Sequence, residues 1–234
     1  MKTALITGAN QGVGYGFVSK LLGEGWRVFA TTRKSIENLP ALQNLEWMSL
    51  ELTDDESIQK AFSLVAGKTD RIDLIVNNAG VNKDTATQNQ KEKVSTLQDL
   101  DRNMLLTMFN INAIAPLLIV KQFLPLLQGN PSFIINISSI RASFGNKNKL
   151  GNYGYRASKI ALNMFTFCSL KDLPENVKTF AVHPGIVKSQ MNPTGEGDPE
   201  NHAEKILNIV ENWNDEWNGR FMNFDGTMYP IDEG

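Results

Sequence analysis

The chain is short of several things, and each shortage closes off a class of function. It has a single cysteine, Cys168, so no intramolecular disulfide can form and the composition suits a reducing compartment. With two histidines, His183 and His202, and no His/Cys/Asp cluster at ligand spacing, no metal site is expected. A formal net charge of only −2 removes the electrostatic case for nucleic acid or an anionic membrane as partner. No repeat, low-complexity tract or linker divides the 234 residues, so 1–234 read as one domain around a well-buried core. Met1-Lys2-Thr3 leads straight into an apolar run with no signal peptide before it, and the expected address is cytoplasmic. One stretch, Met104 to Leu127, is strongly apolar, but Asn110, Asn112, Pro116, Lys121, Gln122 and Pro125 interrupt it. Those residues are costly in lipid, so a buried helix is expected there. Cys168, on an apolar helix face, is expected to be a buried structural thiol, and His202 to lie on the surface.

What is present is an alternation. Short apolar runs at Ala4 to Ile6, Arg27 to Thr31, Leu45 to Leu50, Ile72 to Val76, Phe133 to Ile137 and Val177 to Val182 read as strands. Between them, helices are expected at Tyr15 to Gly25, Ser57 to Ala66, Leu100 to Leu127, Tyr155 to Leu173 and Glu200 to Trp213. Strand–helix alternation predicts an α/β fold: a Rossmann-type, doubly wound parallel sheet with helices on both faces. Ligands in such sheets gather beyond the carboxyl ends of the strands, and Thr7, Asn78, Ser139 and Pro184 all fall at or just past those ends.

The first strand runs into Thr7-Gly8-Ala9-Asn10-Gln11-Gly12-Val13-Gly14 and then a helix. Glycines let the backbone approach a phosphate, and a helix amino end offers free N–H groups with partial positive charge. The spacing G-x-x-x-G-x-G departs from the commonest dinucleotide fingerprint. Further on, Ser138-Ser139 closes a strand and Tyr155-Arg156-Ala157-Ser158-Lys159 opens a helix. Residues four apart share a helical face about 6 Å apart along the axis, so the Lys159 ammonium can approach the Tyr155 ring, whereas Tyr153 is poorly placed to do so. Bringing a phenol from a pKa of about 10 toward 7 to 8 takes roughly 3 to 4 kcal/mol. A unit charge about 4 Å away at an effective dielectric near 20 supplies about that much. A tyrosine tuned in this way serves as general acid for a reduction and general base for its reverse. An isolated Tyr-x-x-x-Lys would be an ordinary surface pair, and a lone glycine turn merely a tight connection.

These motifs, with Asn77-Asn78-Ala79-Gly80, Asn112 and Pro184-Gly185, stand in one order along nearly the whole chain, and in that order they resemble the short-chain dehydrogenase/reductase family. Tyr153 to Asn163, His183 to Ser189 and Gly219 to Gly226 resemble its carbonyl-reductase-related branch, which includes the sniffer and C-factor proteins. The resemblance implies catalysis by Asn112, Ser139, Tyr155 and Lys159, with Ser139 polarising the substrate carbonyl and Asn112 holding a water that links the lysine to solvent. Without that register, Asn112 reads equally well as a hydrogen-bonded kink residue near Pro116. It further implies cofactor contacts from Gly8, Asn10, Gln11, Gly12, Val13, Gly14, Arg33, Glu51, Leu52, Asn78, Ala79, Gly80, Tyr155, Lys159, Pro184, Gly185, Val187 and Ser189.

Cofactor choice turns on the end of the second strand, where an acidic residue would bind a free ribose hydroxyl. Here Thr32 is followed by Arg33 and Lys34, which favour a 2′-phosphate; NADP(H) is expected in preference to NAD(H), which stays open. Gln11, where many NADP-dependent relatives are basic, and Glu51, where an aspartate often contacts adenine, depart from the pattern. By resemblance the substrate pocket is built from segments 140–152 and 186–198. Phe144, Leu150, Ile186 and Met191 are expected as apolar walls, and Asn146 to Lys149, Gln190 and Asn192 as polar ones. The expected activity is reduction of an aldehyde, ketone or quinone to an alcohol, with a small-molecule partner and a homodimer or homotetramer open as assembly. Two other readings stay open: an extended nucleotide-sugar epimerase, which would need more chain after Gly185, and a redox-sensing regulator that binds NADPH without turnover.

Overall fold

The strands carry little alternation of polar and apolar residues because helices cover both of their sides. In the computed structural model, which describes residues 1–82, 97–127, 131–144 and 150–229, β1 Thr3–Ile6 and β4 Leu74–Asn77 are buried at every position, as expected of parallel strands between helical layers. With β2 Arg27–Thr32, β3 Leu45–Ser49, β5 Ser132–Ile137, β6 Val177–His183 and β7 Phe221–Asn223 they form one parallel sheet in the order β3-β2-β1-β4-β5-β6-β7. The α-helices of the described residues are α1 Gly12–Gly23, α2 Asp55–Ala66, α3 Arg102–Phe109, α4 Ala115–Phe123, α5 Tyr153–Cys168 and α6 Pro199–Glu211. The sheet is a doubly wound Rossmann-type α/β domain, as the alternation predicts.

Successive strand residues feed two cores. Ala4 and Ile6 face one layer with Phe17, Val18 and Leu21 of α1 and Ile206 and Leu207 of α6. Leu5, between them, faces the other, with Ile58 and Val65 of α2 and Ile119 and Phe123 of α4. Because helices leave β1 and β4 toward opposite faces, a crevice opens above the adjacent carboxyl ends of those two strands.

The long apolar segment is helical throughout from Arg102 to Leu126, with a mean hydropathy of 1.7 over its most apolar window, long and apolar enough to cross a membrane by length and composition. In the fold it packs along one side, burying Met108, Ile111, Asn112, Ala115, Ile119 and Phe123. Its middle, Asn110–Ile114, is a π-turn, and Pro116 follows directly in α4, its missing backbone N–H accommodated by the wider turn before it. Two expectations fail at the level of elements. The short strand β7 was not foreseen, since three residues between the turns at Gly219 and Gly226 show no period. Cys168 is exposed rather than buried: α5 turns Leu162 and Thr166 inward, which leaves Cys168 outside with Met164 and Phe167.

Candidate active site

The turn after β1 is tied to the turn after β4 by two side chains. Thr7 Oγ1 accepts from the backbone N–H groups of Asn78 and Ala79 at 3.0 and 3.1 Å. Asn78 Nδ2 donates in return to the carbonyl oxygens of Thr7 and Gly8 at 3.0 and 2.9 Å. Gly8 has a φ of +62°, and a Cβ there would lie 2.8 Å from Ala79 Cα, so backbone meets backbone at this point. Beneath the turn, a Cβ on Gly14 would come within 2.4 Å of Asn78 Nδ2. Asn78 therefore locks together the carboxyl ends of the central strands β1 and β4, rather than an edge of the sheet, and Ala79 and Gly80 keep the space beside it clear.

A cleft of about 930 Å³ runs over these turns, crossing the strand ends from β3 to β6. Of the positions that the sequence assigns to cofactor binding, Gly8, Asn10, Gln11, Gly12, Val13, Arg33, Glu51, Leu52, Asn78, Ala79, Gly80, Tyr155, Lys159, Pro184, Gly185, Val187 and Ser189 all line it, as does Ser139. Gly14 and Asn112 do not; Gly14 packs under Asn78 and Asn112 is hydrogen-bonded to Val81, both of which line it. Arg33 and Lys34 are exposed. Glu51 Oε1 accepts from the backbone N–H and hydroxyl of Thr53 at 3.1 and 2.9 Å. Ser189 lies beside the glycine turn, 3.4 Å from where a Gly12 Cβ would be, and its Oγ accepts from Asn192 N. A floor of glycine backbone, a helix amino end and an exposed cationic pair at the β2 end fit a phosphorylated dinucleotide.

At the β5 end the chemistry-bearing groups meet. Ser139 lies just past the strand with its side chain accepting from Arg141 N at 3.2 Å, while Ser138 is held to α5 by a 2.6 Å hydrogen bond to Asn163 Oδ1. Tyr155 and Lys159 are both buried on α5. Lys159 Nζ donates to the Ile137 carbonyl at 2.7 Å and stands 6.0 Å from the centre of the Tyr155 ring. A Cβ on Gly80 would lie 3.4 Å from that ammonium, so the β4 turn reaches the same spot. Burial pushes the Tyr155 phenol above its ordinary range; a hydrogen bond with Ser139 and then the charge of Arg141 pull it back. Burial also brings Lys159 down to about 7.

The direction at Tyr155 and the lowered lysine correct the electrostatic expectation. The lysine was to lower the phenol's pKa from about 4 Å, but in the protein alone its charge is only partly retained near neutral pH, because the site that brings it close also strips it of water. Asn112 is wholly buried, and its amide is engaged by protein. Its Oδ1 accepts from Val81 N at 2.8 Å, and its Nδ2 donates to Val81 O at 2.9 Å and to Ser158 Oγ at 3.0 Å. These are the bonds of a residue that ties the π-turn to the β4 turn and to α5.

The expected pocket walls divide. Ile186, Met191, Gln190 and Asn192 line the cleft, whereas Phe144 and Leu150 do not; Asn146 to Lys149 fall outside the described residues, as does the polar stretch after Asn82 as far as Thr96. His202, expected on the surface, is half-buried. Its ring stacks on Phe224 with centroids 4.2 Å apart, its Nδ1 is 2.7 Å from the Pro184 carbonyl, and Gly185 and Gly197 both close on it. Only a three-dimensional contact gives it that role; its place one helical turn after Asp198, the N-cap of α6, was the available hint. Arg141, also unremarked in the sequence, lines the cleft beside Tyr155.

The family model described as short chain dehydrogenase matches residues 2–199. Among solved structures, an NADPH-bound carbonyl reductase from chicken fatty liver superposes with a TM-score of 0.84 at 30% identity, covering 98% of each chain. The carbonyl reductase Sniffer of D. melanogaster does so with a TM-score of 0.85 at 27% identity, over 97% of this chain and 98% of that one. The C-signal protein of Myxococcus xanthus is 32% identical over 69% of this chain and 94% of its own length. Match, superposition and motif order agree, and the chain belongs to the short-chain dehydrogenase/reductase family of NAD(P)-dependent oxidoreductases, in its carbonyl-reductase-related branch.

Proposed function

We propose that the protein reduces a small-molecule aldehyde, ketone or quinone to an alcohol with NADPH, in the cytoplasm, using Tyr155 as the acid. The observation that carries this is the meeting of Ser139, Tyr155 and Lys159 in one cleft with the glycine turn. When bound, NADPH supplies the hydride. Ser139 holds the carbonyl oxygen, and Tyr155, protonated across the neutral range because burial raises its pKa, gives that oxygen its proton as the carbon is reduced. Lys159, brought to about 7, can take up and release a proton at working pH beside the phenol. Asn112 positions the β4 turn against α5 through Val81 and Ser158. Exposed Arg33, following Thr32 rather than an acid, favours the 2′-phosphate. Leu106, Ile114, Leu117, Met164 and Phe167 are exposed on the α3–α4 segment and α5, which supports pairing of copies as a homodimer or homotetramer.

The test is oxidation of NADPH and of NADH against a panel of aldehydes, ketones, quinones and dicarbonyls. Turnover is expected with a higher kcat/KM for NADPH. Tyr155→Phe is expected to keep cofactor binding while losing roughly 10²- to 10⁴-fold in kcat. A variant reducing at the parent rate would remove Tyr155 from the chemistry, a preference for NADH would reject the role of Arg33, and binding without turnover across the panel would favour a regulator.

A further inference from the structure

The cleft contains a charge that the proposed reduction does not use. Arg141 belongs to the short turn Ile140–Ala142 directly after Ser139, and its backbone N–H donates to the Ser139 hydroxyl, so its place is fixed relative to the reacting groups. Its side chain lines the cleft with Tyr155, Ile186 and Met191. Nη1 is buried beyond the reach of water and has no hydrogen-bond partner. Among the described residues no carboxylate forms an ion pair with it.

Among the described residues the surroundings add no compensating negative charge. The neighbouring ion is another cation, Arg156, whose pKa is lowered by burial and then by the charge of Arg141. Of the charged residues that line the cleft, the acid is Glu51. It follows β3, with three strands between it and β5, and one of its carboxylate oxygens already accepts from Thr53. A guanidinium N–H desolvated without an acceptor is costly, and its planar fork matches a carboxylate in geometry as well as in charge.

We propose, granted the carbonyl reduction above, that the substrate is a carbonyl compound bearing a carboxylate, toward which the Arg141 guanidinium turns out of its buried position while Ser139 and Tyr155 hold the carbonyl oxygen. Ile186 and Met191, apolar and exposed on the same cleft, take the hydrocarbon part of the molecule. Arg141 is thus the residue that selects the substrate, and its positive charge beside Tyr155 also offsets part of the burial that raises the phenol.

The experiment compares kcat/KM for acid and ester pairs that share a reducible group: 4-formylbenzoate against its methyl ester, and 2-oxo-4-phenylbutanoate against its methyl ester. The measured quantity is the acid-to-ester ratio in the parent, Arg141→Leu, Arg141→Gln and Arg141→Lys. Loss of a charge-assisted hydrogen bond corresponds to a roughly 10- to 100-fold fall in that ratio for the leucine and glutamine variants, with the lysine variant holding most of it. A ratio that stays within about twofold of the parent in all three variants, with turnover of acid and ester alike, overturns the carboxylate assignment and leaves carbonyl reduction standing. Failure of the parent to oxidise NADPH with any carbonyl compound, charged or neutral, overturns both.

Discussion

His183 ends β6 with 9% of its surface exposed and its Nδ1 without a hydrogen-bond partner. Burial, and secondarily the charge of His202, lowers its pKa to about 4. The sign follows directly. Between about 4 and the unfolded value of about 6.5 the unfolded chain binds a proton that the native one refuses, so His183 makes stability rise with pH across that window. Its contribution is fully present above about 6.5 and is lost as pH falls toward 4. His183→Asn is expected to flatten the pH dependence of the unfolding free energy there, the difference from the parent reaching at most about 3 kcal/mol; parallel curves for the two proteins would show that the imidazole binds protons alike in the native and unfolded states. Single residues also mark the limit of sequence reading. Tyr155 and Lys159 were legible because a helix fixes what a spacing of four means. The charge state of Lys159 was not, because it depends on how much water the folded site excludes. Arg141 carried no pattern at all until the fold placed it in the cleft.

At the scale of elements, α6 does more than cover the sheet. Through His202 it inserts a ring between Gly185 and Gly197, the two ends of the loop that carries Val187, Ser189 and Met191. Because a carbonyl can only accept, Nδ1 is the protonated nitrogen that donates to Pro184 O. His202→Ala removes this hydrogen bond and the stack on Phe224. About a tenfold fall in kcat/KM is expected, mostly through KM, with His202→Gln intermediate because its amide can still donate. Steady-state kinetics of the two variants decide the matter, and unchanged values for alanine would mean that the loop holds its own shape. Strands and helices with strong periods were readable to within a few residues, as for β6, expected at Val177 to Val182 and found at Val177–His183. The strand β7 and the π-turn were not, since both are set by tertiary pairing and by the accommodation of Pro116 rather than by a repeating pattern.

For the whole molecule, the alternation of strands and helices was sufficient to give the sheet and the end at which ligands collect, because parallel crossovers leave few other arrangements. Assembly was less legible, since an apolar residue reads the same whether a core or a second copy covers it. With Leu117 and Phe167 exposed on neighbouring elements, the protein is expected to elute as a dimer or larger in size-exclusion chromatography with light scattering, and Leu117→Glu with Phe167→Glu to shift it toward monomer. Identical masses for the two proteins would place any association elsewhere. The continuous helix from Arg102 to Leu126 also bears on biosynthesis. Its partner α5 and the strands β5, β6 and β7 are all translated after it, so a ribosome-bound intermediate displays this greasy rod with three of its seven strands still missing. The chain is therefore expected to be at its most adhesive at that moment, and slower emergence of the remaining stretch to lower the yield of folded protein.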